Sequence, residues 1–292
     1  MYNALNIAIK DLFGTNAMID NTKNISGGCI SHTYVVYITT GEKVFVKENS
    51  LKYLNMFHSE FAALELLKCA GGPVIPTPFS TFETADRAFI LMEFIESGVK
   101  NRDFDERAGE ALGNLHKNKK NRLYGLSFNN FIGTTPQDNF QNKSWPDFFA
   151  ERRLLPQIKL AQKNSSLDIT LERKLFKLIE NIDTFIHQPE EGPSLLHGDL
   201  WSGNIMCDKN NNPVIFDPAV YYGDRETDIA MTTLFGGFSN RFYEAYNENY
   251  PLEKDFKSRT DIYNLYHILN HLNIFGRGYL SQVNSILNSY LK

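Results

Sequence analysis

Cysteine and tryptophan are scarce in this chain, with three Cys and two Trp among 292 residues. Cys29, Cys69 and Cys207 cannot all pair within one chain and lack zinc spacing, so neither a disulfide framework nor a zinc site underlies the fold. No apolar run approaches membrane-spanning length. Met1–Phe13 reads as a short amphipathic helix without the basic start and continuous apolar core of a signal peptide. Positive charge is not in excess either: the formal net charge is −4, and no basic field points to nucleic acid. Repeats and low-complexity tracts are absent, as is any Gly-x-x-x-x-Gly-Lys-[Ser/Thr] loop, which excludes a Walker-type NTPase. What is left suits a cytoplasmic enzyme, 42% hydrophobic and long enough for one large or two modest domains.

The chemistry concentrates between residues 195 and 217. There the chain reads Leu-Leu-His-Gly-Asp-Leu-Trp-Ser-Gly-Asn-Ile-Met-Cys, then an Asn-rich turn, then Pro-Val-Ile-Phe-Asp. Asp199 and Asn204 stand at the Asp-x-x-x-x-Asn spacing of a kinase catalytic loop, and Asp217 ends a short apolar run. Phosphoryl transfer is mainly a matter of holding metal, phosphate and acceptor in line. One carboxylate to take the acceptor's proton (Asp199), with an Asn and a second Asp to hold Mg²⁺ (Asn204, Asp217), is a sufficient core. The competing reading is a solvated loop whose acids cap turns; a second Asp in the required place argues against it.

Upstream, a kinase of this type needs a Gly-rich loop, a strand Lys and a helical Glu, in that order. Ser26-Gly27-Gly28-Cys29-Ile30-Ser31 precedes the alternating stretch 32–38, and after the turn Thr40-Gly41-Glu42 the strand Val44-Phe45-Val46-Lys47 follows. Gly27 and Gly28 let backbone N–H groups approach phosphate, since no Cβ intervenes. Lys47 is placed to meet the α- and β-phosphates of ATP. Residues 51–69 read as an amphipathic helix with Leu54, Phe57, Phe61, Leu64 and Leu67 near helical spacing. Glu60 on this helix is the expected partner of Lys47, with Glu65 the competitor, and the same pattern places Cys69 near the core. Two β-rich runs, 79–82 and 88–92, lead to a hinge at Glu93-Phe94-Ile95. There the Glu93 carbonyl and the Ile95 N–H would face adenine.

Residues 1–96 therefore read as a small β-rich nucleotide-binding lobe and 97–292 as a larger, mainly helical lobe for catalysis and substrate. Helical patterns cover 104–117, 147–163, 171–187 and 225 to near the C-terminus, while 121–146 looks irregular. A loop that long is functional or disordered. Fold class is α+β, with a nucleotide cleft between the lobes. On the late helix Tyr263, His267, Asn270 and His271 share one face, lining a pocket or facing water. His267-x-x-x-His271 has the spacing of a zinc protease motif, but Ile268 replaces the general-base Glu.

On these residues the chain resembles the fructosamine kinase (ketosamine kinase) family, relatives of aminoglycoside and choline kinases within the protein-kinase-like fold. The likeness covers nearly the whole chain and includes the 26–31 loop, Phe45-Val46-Lys47, Trp145 with Phe148-Phe149, His197 to Asn204 and Asp217-Pro218-Ala219. It continues through Phe235-Gly236-Gly237-Phe238, Leu269-Asn270-His271 and Phe275-Gly276. The resemblance implies ATP-dependent phosphorylation of a ketosamine, small or protein-linked, at its third-carbon hydroxyl, in the service of deglycation. It implies that Trp145, Trp201 and His271 border the acceptor pocket. Trp201, two residues after the base, suits the C–H face of a sugar or packing beneath the loop. Gly198 stands where a protein kinase usually has Arg, and Pro218-Ala219 follows Asp217 in place of Phe-Gly, so the acceptor is read as small. Two other classes stay open: a kinase for another hydroxylated amine, and a catalytically silent nucleotide-binding regulator. Cys29, in the phosphate loop beside Lys47, is a candidate redox-sensitive thiol, and its oxidation would join two chains as a homodimer.

Overall fold

The computed structural model describes residues 2–25 and 30–291. Helix α1 (Tyr2–Phe13) precedes strands β1 (Ile19–Asn24), β2 (His32–Ile38) and β3 (Lys43–Ser50); helix α2 (Leu54–Lys68) then leads to β4 (Pro78–Glu83) and β5 (Arg87–Glu93). The five strands form one antiparallel sheet in the order β1-β2-β3-β5-β4. Alternation along β3 decides what each face carries. Val44 and Val46 pack with Leu5 and Ile9 of α1, whereas Phe45 turns toward the core that holds Phe57, Leu64 and Leu67 of α2. Lys47, two residues after Phe45, shares its face and so points at α2. Cys69, expected near the core, is exposed past the end of α2. One residue beyond Lys68, it has left the apolar stripe that ends at Leu67.

After Glu93 the chain leaves the sheet. Helix α3 (Phe104–His116) follows, then the hairpin β6 (Asn130–Ile132) and β7 (Thr135–Gln137). Helix α4 (Trp145–Phe148) runs through a π-helical turn at Phe149–Leu154 into α5 (Leu155–Lys163), and α6 (Ile169–Glu180) comes next. Short strands β8 (Ser194–Leu196), β9 (Ile205–Cys207), β10 (Pro213–Ile215) and β11 (Tyr221–Gly223) pair as β9–β10 and β8–β11. Helices α7 (Glu226–Leu234), α8 (Asn240–Asn249), α9 (Phe256–Phe275) and α10 (Leu280–Tyr290) complete the chain.

One core joins α2 to α3, α8 and the short strands through Leu67, Leu112, Leu115, Leu195, Ile215 and Phe242. Another lies among α4, α5, α6, α9 and α10. Trp145 sits at the heart of this second core. It is wholly buried against Tyr124, Phe148, Phe149 and Tyr263, and its indole N–H donates to the Tyr263 hydroxyl at 3.1 Å. The expectation that it borders the acceptor pocket is therefore corrected: a ring with no exposed surface and a satisfied N–H packs the lobe.

The 121–146 stretch is ordered. Its buried Asn130 and Gln137 donate to the carbonyls of Val220 and Ala219, and Tyr266 donates to Gln137, so this hairpin buttresses the chain just after Asp217. Among the described residues, no helix is long and apolar enough to cross a membrane.

Candidate active site

The catalytic loop hangs between β8 and β9 and is pinned from below by Asp228 of α7. Asp228 accepts from the backbone N–H of His197 at 2.7 Å and of Gly198 at 2.9 Å, and from His116 Nε2 at 3.1 Å. Arg225 donates to the Tyr246 oxygen, whose hydroxyl meets His116 Nδ1 at 2.8 Å; that chain leaves the proton of neutral His116 on Nε2, facing Asp228. Burial alone would raise the Asp228 carboxyl, but its N–H donors hold it below its ordinary value. Neither Asp228 nor His116 stands out in the sequence: Asp228 is one of three acids in the charged stretch Asp224-Arg225-Glu226-Thr227-Asp228.

Gly198 is required where it stands. Its φ is +81°, and a Cβ there would lie 2.1 Å from the Ala219 carbonyl oxygen. His197 ties the loop to the next one: its Nε2 bonds the Phe216 carbonyl at 2.9 Å while Nδ1 accepts from the Asp199 N–H at 3.3 Å. Asp217 follows with φ +58°, a left-handed conformation that Asp tolerates better than most residues.

Around this frame the side chains converge. Asn204 Nδ2 donates to the Asp199 backbone carbonyl at 2.8 Å and reaches Asp199 Oδ2 at 3.3 Å, which leaves its amide oxygen free of Asp199. Lys47 Nζ lies 2.5 Å from both Glu60 Oε1 and Asp217 Oδ1. Glu60, not the exposed Glu65, is thus the helical acid facing the lysine. Burial would pull the Lys47 ammonium down, but the Asp217 and Glu60 carboxylates outweigh it and keep the lysine charged. Asp199 is pushed up to about 7, first by burial and then by the nearby Asp217 charge, with the Asn204 bond opposing both. A carboxyl poised near neutrality is suited to accept a proton.

At the expected hinge, Glu93 ends β5 and its side chain accepts from the N–H and hydroxyl of Thr77. Phe94 and Ile95 continue outside the sheet, and Glu96 pairs with both Lys43 and Lys209, linking β3 to the β9–β10 turn. Gly27, Gly28 and Cys29 lie outside the described residues.

Beside the loop is an aromatic shelf. Trp201 is 37% exposed, so it is not buried beneath the loop; its ring folds over Gly203, where a Cβ would come within 2.3 Å of the indole. Its edge meets Phe235, which meets His271, which in turn contacts Phe275 and Tyr279. His271 Nδ1 is spent on the His267 carbonyl at 2.7 Å, leaving Nε2 as the acceptor. Tyr263 and Asn270, on the same side of α9 by spacing, are buried within the lobe, where Tyr263 donates to Asp224 and Gln157 donates to Asn270.

Comparison with known proteins decides the family. The fructosamine kinase family model matches residues 1–292. The chain belongs to the fructosamine kinase family. Among its relatives, a probable ketoamine kinase of Synechocystis is 37% identical over 286 residues, covering 97% of this chain and 95% of that one. The chloroplastic protein-ribulosamine 3-kinase of Arabidopsis thaliana is 39% identical over 284 residues, 96% of this chain and 85% of the relative. A crystal structure of a putative fructosamine-3-kinase from Haemophilus somnus superposes with a TM-score of 0.90 at 28% identity, covering 100% of this chain and 98% of the other. An aminoglycoside phosphotransferase shares the fold alone, with a TM-score of 0.61 at 13% identity over 99% of each chain. The family member described above is thus a phosphotransferase with a protein-kinase-like fold.

Proposed function

We propose that the protein transfers the γ-phosphoryl group of Mg·ATP to the third-carbon hydroxyl of a ketosamine, and so acts in deglycation. The observation that carries this reading is the convergence of Asp199, Asn204 and Asp217 opposite the Lys47–Glu60 pair, with an aromatic shelf alongside. The names borne by the relatives supply the substrate class.

The residues fit a hard divalent cation. Asn204 spends its NH₂ on Asp199 and can offer its amide oxygen, while Asp217 offers a carboxylate, an all-oxygen donor set of the kind Mg²⁺ takes. Mg²⁺ held by this pair would neutralise charge on the phosphate oxygens. Charged Lys47, oriented by Glu60, would bind the α- and β-phosphates, and the Glu93 carbonyl and Ile95 N–H would receive the adenine edge. Asp199 takes the proton of the acceptor hydroxyl as the hydroxyl oxygen bonds to the γ-phosphorus. The bond from that phosphorus to the bridging oxygen breaks, and its electron pair leaves with ADP. Trp201 and His271 would border the sugar, the first through its ring face and the second through Nε2.

An ADP-release assay over ribulosyl-, erythrulosyl- and fructosyl-amines, with choline and an aminoglycoside as controls, tests the reading. Turnover with ketosamines, followed by release of the free amine, is expected. Turnover confined to choline or the aminoglycoside would assign the same machinery to another hydroxylated amine, and nucleotide binding without any turnover would favour a regulator.

A further inference from the structure

We propose that His267 holds the acceptor hydroxyl against Asp199, forming the second wall of the slot in which the nucleophile is aligned. This role rests on the kinase reading above and extends it to a residue on α9. His267 is 4% exposed, and its Nδ1 is a buried polar atom without a hydrogen-bond partner among the described residues. That atom faces Asp199 Oδ1 at 3.9 Å, too far for a hydrogen bond between them. Buried polar atoms are nearly always paired, so an orphan aimed at a catalytic carboxylate calls for an explanation. Asp199 Oδ2 already faces Asn204, which leaves Oδ1 as the oxygen turned to the gap.

The separation suits a bridging hydroxyl, and because Nδ1 has no water-accessible surface in this state, the two side chains part as the hydroxyl enters. An oxygen placed about 2.8 Å from both atoms closes a triangle with an angle of about 90° at that oxygen, within reach of a hydroxyl's donor and lone-pair directions. The protonation states fit as well. Burial pushes His267 down to about 3, so the ring is neutral and carries one N–H. A lone pair on Nδ1 would oppose the carboxylate, whereas an N–H there is attracted by it. A hydroxyl in the slot accepts from His267 Nδ1–H and donates to Asp199 Oδ1. Two of its three bonding directions are then fixed, and its remaining lone pair is free to meet phosphorus. When the O–P bond forms, the hydroxyl proton passes to Asp199; His267 neither gains nor loses a proton.

The test compares His267→Asn, whose amide nitrogen falls near the position of Nδ1, with His267→Gln, whose amide reaches toward Nε2. Measured are kcat and KM for the ketosamine, KM for ATP, the unfolding midpoint, and the inhibition constant of a 3-deoxy ketosamine that lacks the acceptor hydroxyl. For His267→Gln the expected result is a loss of roughly 10–100-fold in kcat/KM for the ketosamine, with KM for ATP changed less than about 2-fold. His267→Asn should recover most of the loss. The 3-deoxy analogue should bind wild type and His267→Gln alike, because the bond in question is missing from both. Equal kcat/KM in all three proteins, equal losses in Asn and Gln variants, or a parallel loss of 3-deoxy binding would each overturn the role while leaving the kinase reading intact. Absence of ketosamine turnover in the wild type would overturn both.

Discussion

Replacing Asp199 by Asn should make the protein more stable while nearly abolishing its activity. The carboxyl is held near pH 7 in the folded chain, against an ordinary value of 3.8, because burial and the neighbouring Asp217 both penalise its charge. Below pH 3.8 the group is protonated whether folded or unfolded and costs nothing. Between 3.8 and about 7 the unfolded chain ionises and the folded one does not, so the cost to folding grows with pH; above 7 it is constant. A difference of about 3 units corresponds to roughly 4 kcal/mol, and residual exposure of the carboxylate lowers this to on the order of 2–4 kcal/mol. The amide of Asn has the same shape, carries no charge, and keeps an oxygen for Asn204 Nδ2. For a chain of this size the gain is about 3–6 °C in the unfolding midpoint at pH 8. At pH 5 it should be less than half as large, since only the first part of the titration has occurred. Turnover should fall roughly 10²–10⁴-fold through loss of the base. Thermal unfolding of both proteins at pH 5 and pH 8 measures the effect. A variant less stable than wild type at pH 8, or a difference that does not change with pH, would refute the electrostatic account of Asp199.

Other expectations are sharper at single residues. Lys47→Met should raise KM for ATP and lower turnover by more than Glu60→Gln does, because Glu60 acts by orienting the lysine; equal effects in steady-state kinetics would contradict that division. Gly198→Ala should cost roughly 3 kcal/mol or more, since a left-handed φ and a backbone oxygen in the path of the Cβ leave no relaxed solution; an unaltered unfolding midpoint would show that the loop can rearrange. Trp201→Ala should raise KM for the ketosamine several-fold and leave KM for ATP within about 2-fold, and a reversed pattern would move Trp201 to the nucleotide side. Mild peroxide should slow wild type on non-reducing gels and change its activity, but leave Cys29→Ser untouched; identical behaviour would remove Cys29 from regulation.

Much of the candidate site was legible because its residues are close in sequence. Asp199, Asn204 and Asp217 fall within nineteen positions and carry a spacing that few other chemistries need. Strand β2 was readable as a run of β-branched and aromatic residues, buried on both faces rather than alternating, and helix α3 from its 3.6-residue period. Strand β1, with its sequence Ile-Asp-Asn-Thr-Lys-Asn, was not: it is an edge strand with little buried surface, so no apolar alternation marks it. Trp145 was misplaced because an aromatic followed by two others was read from family likeness as pocket. The same i, i+3, i+4 spacing of Trp145, Phe148 and Phe149 is the signature of a core-facing helix turn. The buttress of Asn130 and Gln137, and the anchor of His116 and Asp228, depend on contacts between residues 30 to 112 positions apart. Polar residues of that kind carry no periodic signal, and only the fold reveals what they hold.

Three aspartates crowd the two adjoining loops and α7, and their partners separate their roles. Asp228 accepts from three N–H donors, two of them in the 197–204 loop itself, so it serves as an anchor. Asp217 shares Lys47 with Glu60 and keeps 44% of its side chain exposed, which leaves carboxylate oxygen for a cation. Asp199 receives one long side-chain bond from Asn204 and has no cationic side chain beside it among the described residues, while the charges of Asp217 and Asp228 both press on it. Neighbouring negative charge acting on a buried, uncompensated carboxyl raises its proton affinity. The arrangement therefore favours Asp199 as the base of the proposed reaction, without any special feature of that residue. Its neighbours are satisfied first, and the proton affinity that remains is concentrated where the acceptor hydroxyl would arrive.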